Sequence, residues 1–132
     1  TMMDRVHKLE VDTKTGQANY LGVAANVGTP DNILIDRKGR LVVASPLFNQ
    51  VILVDFDNHS QHVIFDGSTP ENIKVTNEWN RRSRLGLERL DQLSGELFSP
   101  LPGLLTGMFF SADGQTLYVS NLGNDLVKLD YK

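Results

Sequence analysis

An all-β class is predicted by three observations. One eight-residue pattern occurs three times, as Asp4-Arg5-Val6-His7-Lys8-Leu9-Glu10-Val11, Asn49-Gln50-Val51-Ile52-Leu53-Val54-Asp55-Phe56 and Asn124-Asp125-Leu126-Val127-Lys128-Leu129-Asp130-Tyr131. The second and third copies each follow a strand pair closed by a glycine turn, Ile33 to Ala44 around Gly39 and Met108 to Ser120 around Gly114. Gly39 aligns with Gly114 and Asp55 with Asp130, an offset of 75 residues. A single four-stranded unit takes roughly 40 to 50 residues, so the excess requires an insertion. Short, even strands in such units predict a β-propeller fragment of about two and a quarter four-stranded antiparallel blades with a helical insertion.

In chain order, Arg5 to Val11 reads as a strand, Asp12 to Gly16 as a turn in which Gly16 takes φ > 0, and Gln17 to Ala24 as the returning outer strand. The next unit supplies four strands, A to D from the axis outward: Ile33 to Asp36, Leu41 to Ser45, Gln50 to Phe56 and Gln61 to Phe65. The unbroken apolar runs Val42-Val43-Ala44 and Val51-Ile52-Leu53-Val54 place these strands under cover on both faces, as a stack of sheets requires. Thr69 is an N-cap, Pro70 suits the first helical position and Glu71 the positive end of the helix dipole, which predicts a helix from about Pro70 to Arg84. Leu90, Leu93 and Leu97 share one face at helical spacing, so a second, shorter helix is expected over Leu87 to Leu97, stopped by Pro100 and Pro102. The last unit supplies A, B and C and stops at Lys132. The chain thus divides into the end of a blade (1–24), a complete blade (25–67), a helical insert (68–99) and a last blade without its outer strand (100–132).

That arrangement leaves apolar sheet faces and an unpaired edge, both unfavourable in isolation. Completion by the remaining blades on another chain, or by further copies of this one, is therefore expected. The 132 residues are 40% hydrophobic, enough for a core, and carry a net charge of −3 with a pI near 5.5. Such a balance lacks the basic footprint that phosphate backbones select, so nucleic acid is not an expected partner. No run approaches the roughly 20 apolar residues of a membrane span. The absence of cysteine removes disulfide and thiolate chemistry from consideration.

The run Thr29-Pro30-Asp31-Asn32-Ile33, followed by Asp36-Arg37-Lys38-Gly39-Arg40-Leu41-Val42-Val43-Ala44-Ser45-Pro46, resembles six-bladed propellers of the strictosidine-synthase-like, gluconolactonase and paraoxonase group. Thr106-Gly107 to Asp130 and the insert before the last blade are similar to the C-terminal part of that group, about its last third. The resemblance implies an axial calcium ion, held in gluconolactonases and paraoxonases by an acidic residue at this turn and in paraoxonases also by the next Asn. These become Asp31 and Asn32. Their oxygens suit a hard cation, and the turn otherwise has the composition of an ordinary Asx turn. The matching turn of the last unit, Thr106-Gly107, offers no second carboxylate. Strictosidine synthases work without a catalytic metal, so the resemblance leaves calcium open.

Thr1 is the second candidate. By the repeat it aligns with Pro46, between strands B and C, on the end of the sheets that carries Asp31. An N-terminal Thr exposed by self-cleavage can use its own amine, of pKa about 8, as base for its hydroxyl. Adventitious proteolysis or Met removal would leave the same end. His7, His59 and His62 read as surface residues. Arg81-Arg82-Ser83-Arg84 reads as a solvated helix face rather than an anion site, and Trp79 as a packing or lid residue of the insert. Ser120, Asn121 and Asn124 fall near the same end as Asp31. The expectation is a hydrolase subunit acting on a small-molecule lactone, ester or amide through calcium or through Thr1, with catalytic Asp31 at the pocket floor; a ligand-binding scaffold and a metal-free condensing enzyme are the alternatives.

Overall fold

The structure, a computed structural model, describes residues 4–86, 105–121 and 126–132. Among these the chain is mostly antiparallel β-structure with one α-helix. Strands β1 (Arg5–Val11) and β2 (Ala18–Asn26) form a two-stranded sheet. Strands β3 (Ile33–Ile35), β4 (Leu41–Ser45), β5 (Gln50–Asp55) and β6 (Ser60–Asp66) form a four-stranded meander, and β7 (Leu105–Phe110), β8 (Thr116–Asn121) and β9 (Leu126–Asp130) a three-stranded one. A single 3-10 turn, Pro46–Phe48, separates β4 from β5. The helix α1 (Pro70–Arg84) has the bounds its cap and charge pattern predict. The helix expected at Leu87 to Leu97, Asn124 and Thr1 lie outside the described residues. The outer strand expected to end at Ala24 runs to Asn26, because Val6 pairs with Ala25 and Arg5 with Asn26 across two register shifts that lengthen β2.

The sheet registers follow from side-chain parity. In the four-stranded sheet Val42 pairs with Leu53 and Ala44 with Val51, while Leu41 pairs with Val54 and Val43 with Ile52. Cross-strand partners share a face, so this sheet presents two apolar faces. Val42, Ala44, Val51 and Leu53 are packed with Leu105, Met108, Leu117 and Val119 of the three-stranded sheet. On the other side Leu41, Val43 and Val54 pack with Ala25 and Val27 at the end of β2. All of β4 is buried, as its unbroken apolar run requires. Each fully buried valine contributes roughly 1.5–3 kcal/mol relative to exposure.

The repeat is visible in this packing. Leu34 pairs with Val42, and Phe109 pairs with Tyr118. Leu34 and Val42 face the third sheet, whereas Phe110, Leu117, Val119 and Leu129 face back onto the second. The turn joining β3 to β4 is closed by the Asp36 N–H on the Arg40 carbonyl, and that joining β7 to β8 by the Ser111 N–H on the Thr116 carbonyl, one residue wider. That extra residue keeps Leu117 and Val119 in the same relation to the preceding sheet as Leu41 and Val43. Gly39 and Gly114 occupy the left-handed region at φ 76° and 66°, where a side chain would be strained. The equivalent turns also touch: the Arg37 guanidinium donates to the Ala112 carbonyl at 2.6 Å.

Candidate functional site

Strand direction sets which residues share an end of the stack. β3 leaves Asp31 and β4 returns to it: the Asp31 N–H donates to the Ala44 carbonyl at 3.0 Å, and the Ala44 N–H to the Asn32 carbonyl at 2.9 Å. These bonds fix the backbone of the turn. Asp31 is exposed and Asn32 half-buried. Among the described residues the Asp31 carboxylate makes no hydrogen bond or ion pair, so its side chain does not cap the turn.

The segment leading to Asp31 is held from several sides. Thr29 sits in the left-handed region at φ 45°, which a β-branched residue enters only under constraint. The constraint is visible: its N–H donates to the Asp4 carboxylate at 3.0 Å, and the Val27 N–H to the Asp4 carbonyl at 3.1 Å. The Ser45 hydroxyl donates to the Gly28 carbonyl. Gly28 lies so close to the Phe48 ring that an added Cβ would stand 2.4 Å from it. This is a close approach that only glycine permits.

Helix α1 lies on the same end. Thr69 Oγ1 accepts from the Asn72 N–H at 3.1 Å, the N-cap bond its sequence predicts. Asn72, Thr76 and Trp79, spaced along one helical face, are buried. The Asn72 amide and the Thr76 hydroxyl both donate to the Leu47 carbonyl in the 3-10 turn after β4. At the helix C-terminus Arg84 reaches the Asp4 carboxylate at 3.2 Å. The helix therefore ties the second sheet to the start of the first across the end that carries Asp31. Among the described residues, Thr29 Oγ1, Asn72 Oδ1 and Trp79 Nε1 are buried at this end without a hydrogen-bond partner.

Three arginines of α1 are paired. Arg81 donates twice to Glu78 at 2.8 Å and Arg82 at 2.7 Å, while Arg84 is taken by Asp4. Hydrogen bonds from Arg81 and then Arg82 pull the Glu78 carboxyl down to about 2. Arg81 and Arg82 are thus occupied within the helix face, and Arg84 by Asp4 outside it. His7, His59 and His62 are exposed, as their strand positions imply.

The opposite end of the stack carries a network that sequence reasoning did not find. Asp36, buried at the start of the β3–β4 turn, accepts from the Lys38 and Arg40 N–H groups, from Arg40 Nε at 2.8 Å and from the Tyr131 hydroxyl at 2.8 Å. Burial raises the Asp36 pKa, but the Arg40 bonds, with those of Tyr131 and Lys38, outweigh it and the net shift is downward. Burial, reinforced by the bond to Asp36, pushes the Tyr131 hydroxyl up to about 12. Only an Asp before a glycine turn signalled this in the sequence; the tyrosine lies 95 residues away.

Calcium takes six to eight oxygen ligands. Asp31 and Asn32 supply one carboxylate and one amide oxygen, and among the described residues no three His, Cys, Asp or Glu side chains cluster as a metal site. The described residues therefore do not by themselves fit the ion. Among them, too, no helix is long and apolar enough to cross a membrane. Comparison with family models, curated proteins and solved structures finds no match for this chain.

Proposed function

We propose that the chain forms about two and a quarter blades of a β-propeller related to the strictosidine-synthase-like, gluconolactonase and paraoxonase group, and that Asp31 and Asn32 belong to the floor of its axial pocket, where a lactone, ester or amide is hydrolysed. The observation that carries the reading is the recurrence of one packing relation, in which Leu41, Val43 and Val54 face one neighbouring sheet as Leu117, Val119 and Leu129 face the next. Support for the site is the exposed Asp31 carboxylate, unpaired among the described residues, on a turn fixed by backbone bonds beneath an end bridged by α1. In this reaction class water adds to a carbonyl: the Asp31 carboxylate takes the water's proton and the Asn32 side-chain amide donates to the developing oxyanion; the adduct then collapses, the bond to the alcohol or amine breaks, and that leaving group takes the proton back from Asp31. Calcium enters the reading only if blades outside this chain supply four or more further oxygens.

The test uses the assembled protein and a panel of lactones, esters and amides. Asp31→Ala is expected to lower kcat/KM about 10²–10⁴-fold, the range for loss of a positioned acid or base. Unchanged turnover by the variant sinks the assignment. Unchanged wild-type activity in a strong chelator removes calcium and leaves the carboxylate role standing.

A further inference from the structure

We propose that Asn58, at the tip of the β5–β6 hairpin, is an acceptor for an N-linked glycan. The run Asn58-His59-Ser60 fits the Asn-X-Ser/Thr acceptor pattern, and no other asparagine of the chain has Ser or Thr two residues on. The fold presents this run as the pattern demands, on a surface turn. Asp57, Asn58 and His59 are all exposed. The Ser60 N–H donates to Asn58 Oδ1 at 3.0 Å, an Asx turn that holds the side-chain amide beside the residue bearing the hydroxyl. His59 at φ 54° completes the reversal of the chain.

The chemistry balances with one co-reactant class, a lipid-pyrophosphate-linked oligosaccharide. Asn58 Nδ2 attacks the anomeric carbon; an N–C bond forms, the bond from that carbon to the pyrophosphate oxygen breaks, and the lipid pyrophosphate leaves with the electron pair. One amide proton is lost to base. The second N–H remains, and it can keep the bond that Asn58 Nδ2 now makes to the Asp55 carboxylate at 3.2 Å. The modified turn thus needs no rearrangement. Since β5 runs away from the end bearing Asp31, the glycan projects from the far end of the sheet and leaves the candidate pocket clear.

The experiment maps peptides of the full chain isolated from the cells that make it, before and after peptide-N-glycosidase. The expected result is a hexosamine-bearing Asn58 peptide from which the enzyme releases the sugar, leaving aspartate in place of the acceptor asparagine. Ser60→Ala retains the Ser60 N–H and the Asn58–Asp55 bond, and is expected to abolish the glycan with an unchanged near-ultraviolet circular dichroism spectrum; Ser60→Thr is expected to keep it. An unmodified Asn58 peptide from the native protein overturns the proposal, as does a glycan that survives Ser60→Ala.

Discussion

Asp36 shows how much one carboxylate organises at the residue scale. Its side chain is 3% exposed, beside an Arg40 side chain at 20%, and it joins the second sheet to the C-terminal residues through Tyr131. Removing it leaves Arg40 without a carboxylate, though still near the Tyr131 hydroxyl at 3.4 Å and partly exposed, so Asp36→Ala is expected to cost about 3 kcal/mol in urea unfolding, the low end for breaking a buried pair. Tyr131→Phe loses only the hydroxyl bond to a charged group and is expected to cost about 1.5–3 kcal/mol, nearer the lower figure because Tyr131 is half-buried. The pH dependence has a definite sign. The Asp36 pKa is lowered from 3.8, so its stabilisation is present above 3.8 and lost as pH falls through the folded-state value. Tyr131 is raised from 10.0 to about 12, so its contribution is complete below 10.0 and lost as pH rises toward about 12. An ultraviolet titration is expected to find one late-ionising tyrosine that vanishes in Tyr131→Phe; coincident titration of every tyrosine contradicts the network.

Among the elements, α1 couples helix capping to the candidate site. The Thr69 cap bond satisfies one of the orphan N–H groups of its first turn, and Thr69→Ala is expected to destabilise by about 1 kcal/mol. Gly28→Ala tests the approach of the preceding loop to the 3-10 turn. Its Cβ would collide with the Phe48 ring, and overpacking of this kind costs about 1–3 kcal/mol. Both losses are measurable as shifts in denaturant midpoint at constant slope. If Gly28→Ala also displaces Asp31, the hydrolysis proposed for this site is expected to fall beyond what the stability change accounts for.

For the whole molecule, the decisive feature is what the sheets leave uncovered. Leu34, Val42, Val51 and Leu53 face the third sheet; on the third sheet the side turned away from them shows Phe109 at 54% and Leu126 at 56% exposure, with the Phe109 and Tyr118 rings stacked at 4.8 Å. The first sheet likewise exposes Leu9, Val11 and Tyr20. Beside β9, where the second sheet has its fourth strand, lies a cleft of about 150 Å³ lined by Arg40, Leu53, Ile64, Leu129 and Tyr131. In the propeller reading, further blades cover both faces and a strand fills this cleft. Sedimentation of the chain alone is expected to show self-association that Phe109→Lys reduces, and co-expression with the remaining blades to give a complex burying well over about 1,000 Å². A stable monomer with both faces bare contradicts this.

The sequence by itself determined the local elements, because their causes are local. The period of Val42-Val43-Ala44 placed β4 under cover on both sides, Gly39 and Gly114 marked the left-handed turns, and Thr69-Pro70-Glu71 located the start of α1. It also brought Asp31 and Asn32 forward, though only through composition and resemblance, and the structure gives them a fixed turn and, among the described residues, no third ligand. Thr1 and Leu87 to Leu97 lie outside the described residues, so those expectations stand as they were. Only the tertiary structure decided that α1 crosses the end bearing Asp31, that Asp4 serves both Thr29 and Arg84, and that Asp36 meets Tyr131. The reason is sequence separation: such contacts depend on how whole sheets stack, and a buried Asp, Asn or Thr finds its partner only after hydrophobic faces have set that geometry.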